Sequence, residues 1–236
     1  MRRGKGSILG KEGQGDRDRD RPGELTVIRV LVADDHPLLR SGVKEVLAQE
    51  PDFAVPVEAE DSQQVLNRVE EHDWDVLVLD ITMPGRSGLD VLREIRHKRP
   101  NLPVLILSMH TEEQFAVRAI KAGASGYVTK ANAPSELVHA IRKVVTGKKY
   151  VSPSLAEALA GAIESDPGRP LHEVLSDREF QVMCKIASGK TVSEIAGDIS
   201  LSVKTVSTYR ARALEKMRMR TNAEFTRYAI QSGLVD

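Results

Sequence analysis

The chain has 236 residues, room for one large domain or two small ones, and 41% of them are apolar, enough for packed cores. Its 34 basic and 34 acidic residues cancel, which excludes a uniformly charged chain, and its single cysteine, Cys184, excludes an intrachain disulfide framework. No apolar run approaches the roughly 20 residues that a membrane-spanning helix needs.

Residues 1–26 are Gly-rich and then alternate Asp with Arg. Such a segment has almost nothing to bury and is expected to be a disordered tail. Its basic residues lead into no apolar stretch, so no secretory signal is expected and the chain is read as cytoplasmic.

From 27 to 150, strand and helix signals alternate. Val30–Ala33, Val76–Leu79, Val104–Leu107 and Gly126–Thr129 are short runs of the kind that form strands buried on both faces. Phe53–Val57 is a weaker strand, and Pro56 inside it suits an edge. Apolar residues at helical spacing follow each strand, as in Leu39, Val43, Val46 and Leu47, or Val65, Leu66 and Val69. Leu89, Leu92 and Ile95 mark a third helix, Phe115, Ala119 and Ile120 a fourth that stops near Gly123, and Leu137, Ile141, Val144 and Val145 a fifth. Five βα units predict an α/β fold, a five-stranded parallel, doubly wound sheet with helices on both faces.

Residues 151–172 read as a linker, with a short helix over 153–164 and a breaker cluster from Ser165 to Pro170. Residues 173–236 read as an all-α unit of four helices. Ser176-x-x-Glu179, Thr191-x-x-Glu194 and Thr221-x-x-Glu224 fit the capping-box pattern, Ser202 is a fourth N-cap, and Gly189 a natural stop. A tight turn at Ile199-Ser200-Leu201 joins the second and third helices, a helix-turn-helix arrangement. Cys184 falls in an apolar helical pattern and is expected in the core.

Chemistry concentrates where the strands run out. Asp34 and Asp35 follow the first, Asp80 the third, Ser108 ends the fourth and Lys130 closes the fifth. The carboxyl ends of such strands form the ligand crevice of an open α/β sheet. Three carboxylates, a hydroxyl and an ammonium suit a divalent cation and a phosphoryl group, because hard oxygens hold magnesium and a carboxylate can act as a nucleophile. Each residue alone has a plainer reading, the Asp as a helix cap and the Lys as a solvated cation; the set together does not. Farther on, Lys204, Arg210, Arg212, Lys216, Arg218 and Arg220 are opposed only by Glu215. A charge run is usually a solvated helix face, but on a helix-turn-helix it is a nucleic-acid footprint.

Residues 27–150 resemble the receiver domain of two-component response regulators through Ala33-Asp34-Asp35-His36, Leu79-Asp80-Ile81-Thr82-Met83-Pro84-Gly85, Leu107-Ser108-Met109-His110 and Gly126-Tyr127-Val128-Thr129-Lys130. Residues 175–235 resemble the LuxR-type helix-turn-helix, so the whole is similar to the NarL/FixJ class. The resemblance implies that Asp80 accepts a phosphoryl group from a cognate histidine kinase. It implies Mg2+ on Asp35, Asp80 and the Thr82 carbonyl, with Asp34 acting mainly through water. Ser108 and Tyr127 match the switch pair, the hydroxyl moving toward the phosphoryl group as the ring turns inward. Thr82 and His110 match positions that tune the lifetime of the phosphoryl bond, while His36 reads as structural. The resemblance further implies double-stranded promoter DNA as a partner, a homodimer on that DNA with the last helix as its surface, no membrane, and no catalysis beyond the receiver's own phosphoryl transfer and dephosphorylation.

A helix from Val203 to about Met217 turns Val206, Ala213, Leu214 and Met217 inward. Ser207, Thr208 and Ala211 then face bases by family position, and Lys204, Thr205 and Arg212 phosphates, with Thr205 equally readable as a helix-start residue. Two departures stand out. Ser193 and Ala211 are uncharged where the family often carries a base, and Arg218 replaces a common glycine, so the helix is expected to run longer or to end without a left-handed cap. The unphosphorylated receiver is expected to mask the recognition helix.

Three rivals fit less well. Control by a protein or small ligand leaves the acidic set unexplained. A phosphatase using Asp80 as nucleophile wants a carboxylate two residues on, where Thr82 stands. A protein-interaction module does not need the basic stripe.

Overall fold

The computed structural model describes residues 27–83, 86–109, 112–164 and 170–235. The expectations made for the tail, for Pro84 and Gly85, for His110 and for the breaker residues 165–169 lie outside them.

Five strands, β1 (Ile28–Ala33), β2 (Phe53–Ala59), β3 (Val76–Asp80), β4 (Val104–Ser108) and β5 (Gly126–Thr129), form one parallel sheet in the order β2-β1-β3-β4-β5. Between them run α1 (Pro37–Ala48), α2 (Ser62–Glu71), α3 (Gly88–Lys98) and α4 (Glu112–Lys121), and α5 (Ala133–Val145) follows β5. Successive strand residues point to opposite faces, so the core splits in two. Val30, Val32, Val76, Val78, Leu105 and Leu107 pack with Val43, Leu47, Leu137 and Ile141 of α1 and α5. Leu31, Leu77, Leu79 and Ile106 pack with Val65, Leu92 and Phe115 of α2, α3 and α4. β2 is an edge strand, as Pro56 requires, and the β1–β2 register shifts between Arg29 and Leu31, opposite the stretch that holds the proline.

The chain continues through α6 (Pro153–Glu164), which packs on α4, and a 3-10 turn (Leu171–Val174) into α7 (Asp177–Ala187), α8 (Val192–Asp198), α9 (Val203–Lys216) and α10 (Asn222–Gln231). Ser176 and Thr191 make complete capping boxes. Thr221 makes half of one: its side chain accepts from the Glu224 amide, but Glu224 reaches back to the amide of Arg220 instead. Ser202 caps α9 by accepting from the Thr205 amide at 3.0 Å.

The end of α9 corrects one expectation. The helix stops at Lys216, and Arg218 adopts φ 56°, left-handed backbone normally left to glycine. The Met219 amide donates to the Leu214 carbonyl at 2.8 Å and the Arg218 amide to that of Glu215 at 3.0 Å. The left-handed cap forms without its glycine, because Leu214 and Met217 must stay in the core and the chain has to turn there.

Candidate functional site

The ends of β1, β3, β4 and β5 bring the five polar residues to one crevice. Asp34, Asp80, Ser108 and Lys130 are buried, and Asp35 is partly exposed. Lys130 Nζ donates to Asp80 Oδ2 at 2.9 Å. It also lies 2.6 Å from Asp34 Oδ2, an ion-pair distance, although the ammonium's aligned hydrogen bond goes to Asp80. The Thr82 amide donates to Asp80 Oδ1 at 2.9 Å, and the His36 amide to Asp34 Oδ1 at 2.8 Å. Burial pushes the Asp80 carboxyl above its ordinary range and the neighbouring Asp34 charge adds to this, while Lys130 and the Thr82 amide pull it partly back. Burial opposes the Lys130 charge, but Asp80 and Asp34 outweigh it and hold the ammonium above its usual value. Lys130 therefore stays a cation between two carboxylates.

Asp34 Oδ2 and Asp35 Oδ1 are buried oxygens that complete no hydrogen bond, and the ligand atoms of Asp34, Asp35, His36 and Asp80 all lie within 4.8 Å of one another. Hard carboxylate oxygens gathered in so small a space fit a hard divalent cation, which would remove their mutual repulsion. His36 Nδ1 lies 3.1 Å from Asp34 Oδ1 and 3.0 Å from Asp35 Oδ1, so it joins the cluster rather than serving only the backbone.

At the other end of the chain, α9 presents Lys204, Ser207, Thr208, Ala211 and Arg212 to solvent and buries Val206, Ala213, Leu214 and Met217, as the periodicity requires. Thr205 is half-buried, with its hydroxyl 2.7 Å from that of Ser202, so it serves the helix start. The Thr208 hydroxyl donates back to the Lys204 carbonyl at 3.0 Å. Two members of the basic stripe are engaged within the bundle: Arg210 bonds Asn222 and Lys216 bonds Glu179.

Residues 30–142 match the response regulator receiver domain, and residues 173–229 match the luxR family of bacterial regulatory proteins. The chain is 36% identical over 211 residues to the response regulator GacA of Pseudomonas viridiflava, covering 89% of this chain and 99% of that one. It belongs to the NarL/FixJ-class response regulators. It is also 35% identical over 209 residues to the response regulator UvrY of Escherichia coli K12, covering 88% of this chain and 96% of that one. Among solved structures it is similar to RcsB of Salmonella enterica serovar Typhimurium bound to promoter P1flhDC in the presence of phosphomimetic BeF3-. The TM-score is 0.59 at 28% identity, covering 85% of this chain and 97% of that one.

In this response regulator α9, expected to be masked by the receiver, leaves Lys204, Ser207, Thr208, Ala211 and Arg212 exposed, and it is α7 that packs against the receiver. Tyr127 is fully buried, with its ring inside.

Sequence reasoning missed four contributors. Gly88 brings the start of α3 against the end of β3: a Cβ there would meet the Asp80 carbonyl at 2.5 Å and Ile81 Cα at 2.6 Å. A glycine at a helix start, close after Asp80, was the available signal. Arg40 is buried and donates to the Asp34 carbonyl at 2.7 Å while pairing with Glu58 and Glu60. Its polar character hid it inside an otherwise solvated helix face. Arg178 and Gln181 of α7 reach the loop after β3, and no periodicity in the sequence links those two segments.

Proposed function

We propose that Asp80 is the phospho-acceptor of this regulator and that its modification by a cognate histidine kinase controls DNA binding and transcription. The observation that carries this is the acceptor's setting: a buried carboxylate held on one oxygen by Lys130 and on the other by the Thr82 amide. In the transfer an Asp80 oxygen forms a bond to phosphorus as the donor's phosphorus bond breaks and its electron pair leaves with the donor. Lys130 stays beside the oxygens that carry the new charge. Asp35 and Asp80, with Asp34 through water and the Thr82 carbonyl, would hold Mg2+, which when bound neutralises the phosphoryl oxygens. Ser108 and Tyr127 serve as the switch pair, the hydroxyl moving toward the phosphoryl group; the inward turn expected of the ring is already present, since Tyr127 is fully buried. Beyond its own phosphoryl transfer and dephosphorylation, the protein is not an enzyme.

The receiver is assigned to 27–150, the linker to 151–172 and the DNA-binding domain to 173–236. On α9, Ser207, Thr208 and Ala211 face base edges, while Lys204 and Arg212, with Thr205 at the helix start, contact phosphates. Two copies bind promoter DNA as a homodimer through α10, where Ile230 is 55% exposed. Among the described residues no helix is long and apolar enough to cross a membrane, and the protein is assigned to the cytoplasm.

Intact-mass measurement after incubation with acetyl phosphate and Mg2+, followed by promoter binding, tests this. Wild type should gain a single phosphate and change its DNA affinity, and Asp80→Asn should do neither. Phosphate retained by Asp80→Asn would move the acceptor elsewhere.

A further inference from the structure

We propose that the receiver carries an anion site at the end of the sheet opposite Asp80, where Arg96, Lys149 and Ser125 take the phosphoryl group of a small anion, inorganic phosphate or a monoester of it. The inference does not depend on Asp80 being the phospho-acceptor.

A cavity of about 330 Å³ lies where β4 and β5 begin. Arg96 of α3, Gly123 and Ser125 from the turn between α4 and β5, and Lys148 and Lys149 after α5 line it. Its size falls among small-molecule sites, at their compact end. The acidic crevice is built at the other ends of the same strands and shares no residue with it.

Arg96 is built into the wall. Its Nε donates to the Gly123 carbonyl at 2.7 Å, Nη1 to the Pro100 carbonyl at 2.9 Å and Nη2 to Ser125 Oγ at 3.3 Å. Gly123 makes room for it, since a Cβ there would meet Arg96 Cγ at 3.0 Å. Lys149 Nζ donates to the Ala124 carbonyl at 2.6 Å. All of these acceptors are neutral. Among the described residues no carboxylate pairs with Arg96, Lys148 or Lys149, whereas Arg93 and Lys98 on the same helix, and Arg99 just past it, each have one. The carbonyls orient the cations without cancelling their charge. Burial holds the Arg96 guanidinium and the Lys149 ammonium below their ordinary values, and the Arg96 charge adds to the effect on Lys149. An anion between them would relieve both.

Donors remain for such an anion. A guanidinium and an ammonium carry more N–H groups than these bonds use. Ser125 Oγ accepts from Arg96 and from the Val104 amide, each at 3.3 Å, so its own O–H is left to donate. A guanidinium, an ammonium and a hydroxyl from three separate segments suit a phosphoryl group, whose oxygens accept from several directions at once. A brace made by Arg96 alone would not account for Lys149 held near enough to feel its charge.

The test is titration of the full chain, without Mg2+ and at constant ionic strength, with inorganic phosphate and separately with glycerol 3-phosphate. The amide resonances of Gly123, Ser125 and Gly147 should shift and saturate, and the thermal midpoint should rise as the site fills. Lys149→Ala changes an exposed side chain and should weaken binding by about tenfold, the loss of one charge-assisted hydrogen bond. Lys149→Glu should abolish it. Arg96→Ala also removes the brace, so the lysine variants keep the test open if it fails to fold. Tighter binding of glycerol 3-phosphate would make the occupant an ester, and tighter binding of phosphate the free ion; either bears out the site. Shifts that grow without saturating, equal shifts from chloride, or unchanged binding by both lysine variants would overturn it.

Discussion

Lys130 lies within reach of two buried carboxylates, 2.6 Å from Asp34 and 2.9 Å from Asp80. Burial already pushes Asp80 above its ordinary range, so its ionisation opposes folding. That opposition is complete above the folded pKa and vanishes below the unfolded one. Lys130→Ala would leave both carboxylates without the ammonium. Breaking a buried pair in this way costs about 3 kcal/mol, and urea denaturation at neutral pH without divalent ions should show a loss of that order. Added Mg2+ should restore much of it, because a cation on Asp34, Asp35 and Asp80 replaces the missing charge. Lowering the pH should also narrow the gap, since protonation removes the unpaired charge. A deficit indifferent to Mg2+ would mean that these oxygens do not gather around a cation.

At the scale of the element, α9 shows both how far local rules reach and where they stop. Its inward and outward faces follow from spacing alone, because a helix that buries Val206, Ala213 and Leu214 must expose Ser207, Thr208 and Ala211. Its start follows from Ser202. Its end did not follow from local preference: Arg218 at φ 56° is disfavoured, and the bundle overrides that because Met217 has to remain buried. Arg218→Gly should relieve this strain and raise stability by about 1 kcal/mol, the left-handed penalty less glycine's extra freedom in the unfolded chain. Thermal unfolding measures it, and an unchanged or lower midpoint would place the strain elsewhere. The strands and the crevice were legible for the same reason as the faces of α9: each βα unit announces itself, and the parallel topology carries the strand ends to one edge. Asp34, Asp80, Ser108 and Lys130 were found that way. Gly88 was not, since close backbone approach leaves no trace in hydropathy.

The arrangement of the whole molecule was the least legible level. Asp177, Arg178, Glu179 and Gln181 are polar, and polar residues on a helix read as a solvated face; here all four are buried. Charged side chains are seldom buried unless paired, and the partners of Asp177 lie 84 and 59 residues away in sequence, on α3 and α4. No local pattern could announce them. Arg118 is the centre of that contact. It donates to the His172 carbonyl at 2.6 Å, to the Leu175 carbonyl and to Asp177, and it covers Phe180. Burial works against its charge, and Asp177 offsets that. Removing it leaves Asp177 buried with only the half-exposed Arg93. Truncating one partner of a buried pair costs about 3 kcal/mol, enough to move a docked equilibrium by roughly two orders of magnitude. Small-angle scattering should then give Arg118→Ala a larger radius of gyration than wild type while its helix content stays the same. Asp177→Asn should fall between the two, because Arg118 keeps its carbonyl bonds and its place over Phe180. Superimposable scattering from wild type and Arg118→Ala would show that the apolar contact between Phe115 and Phe180 is enough to hold the two parts together.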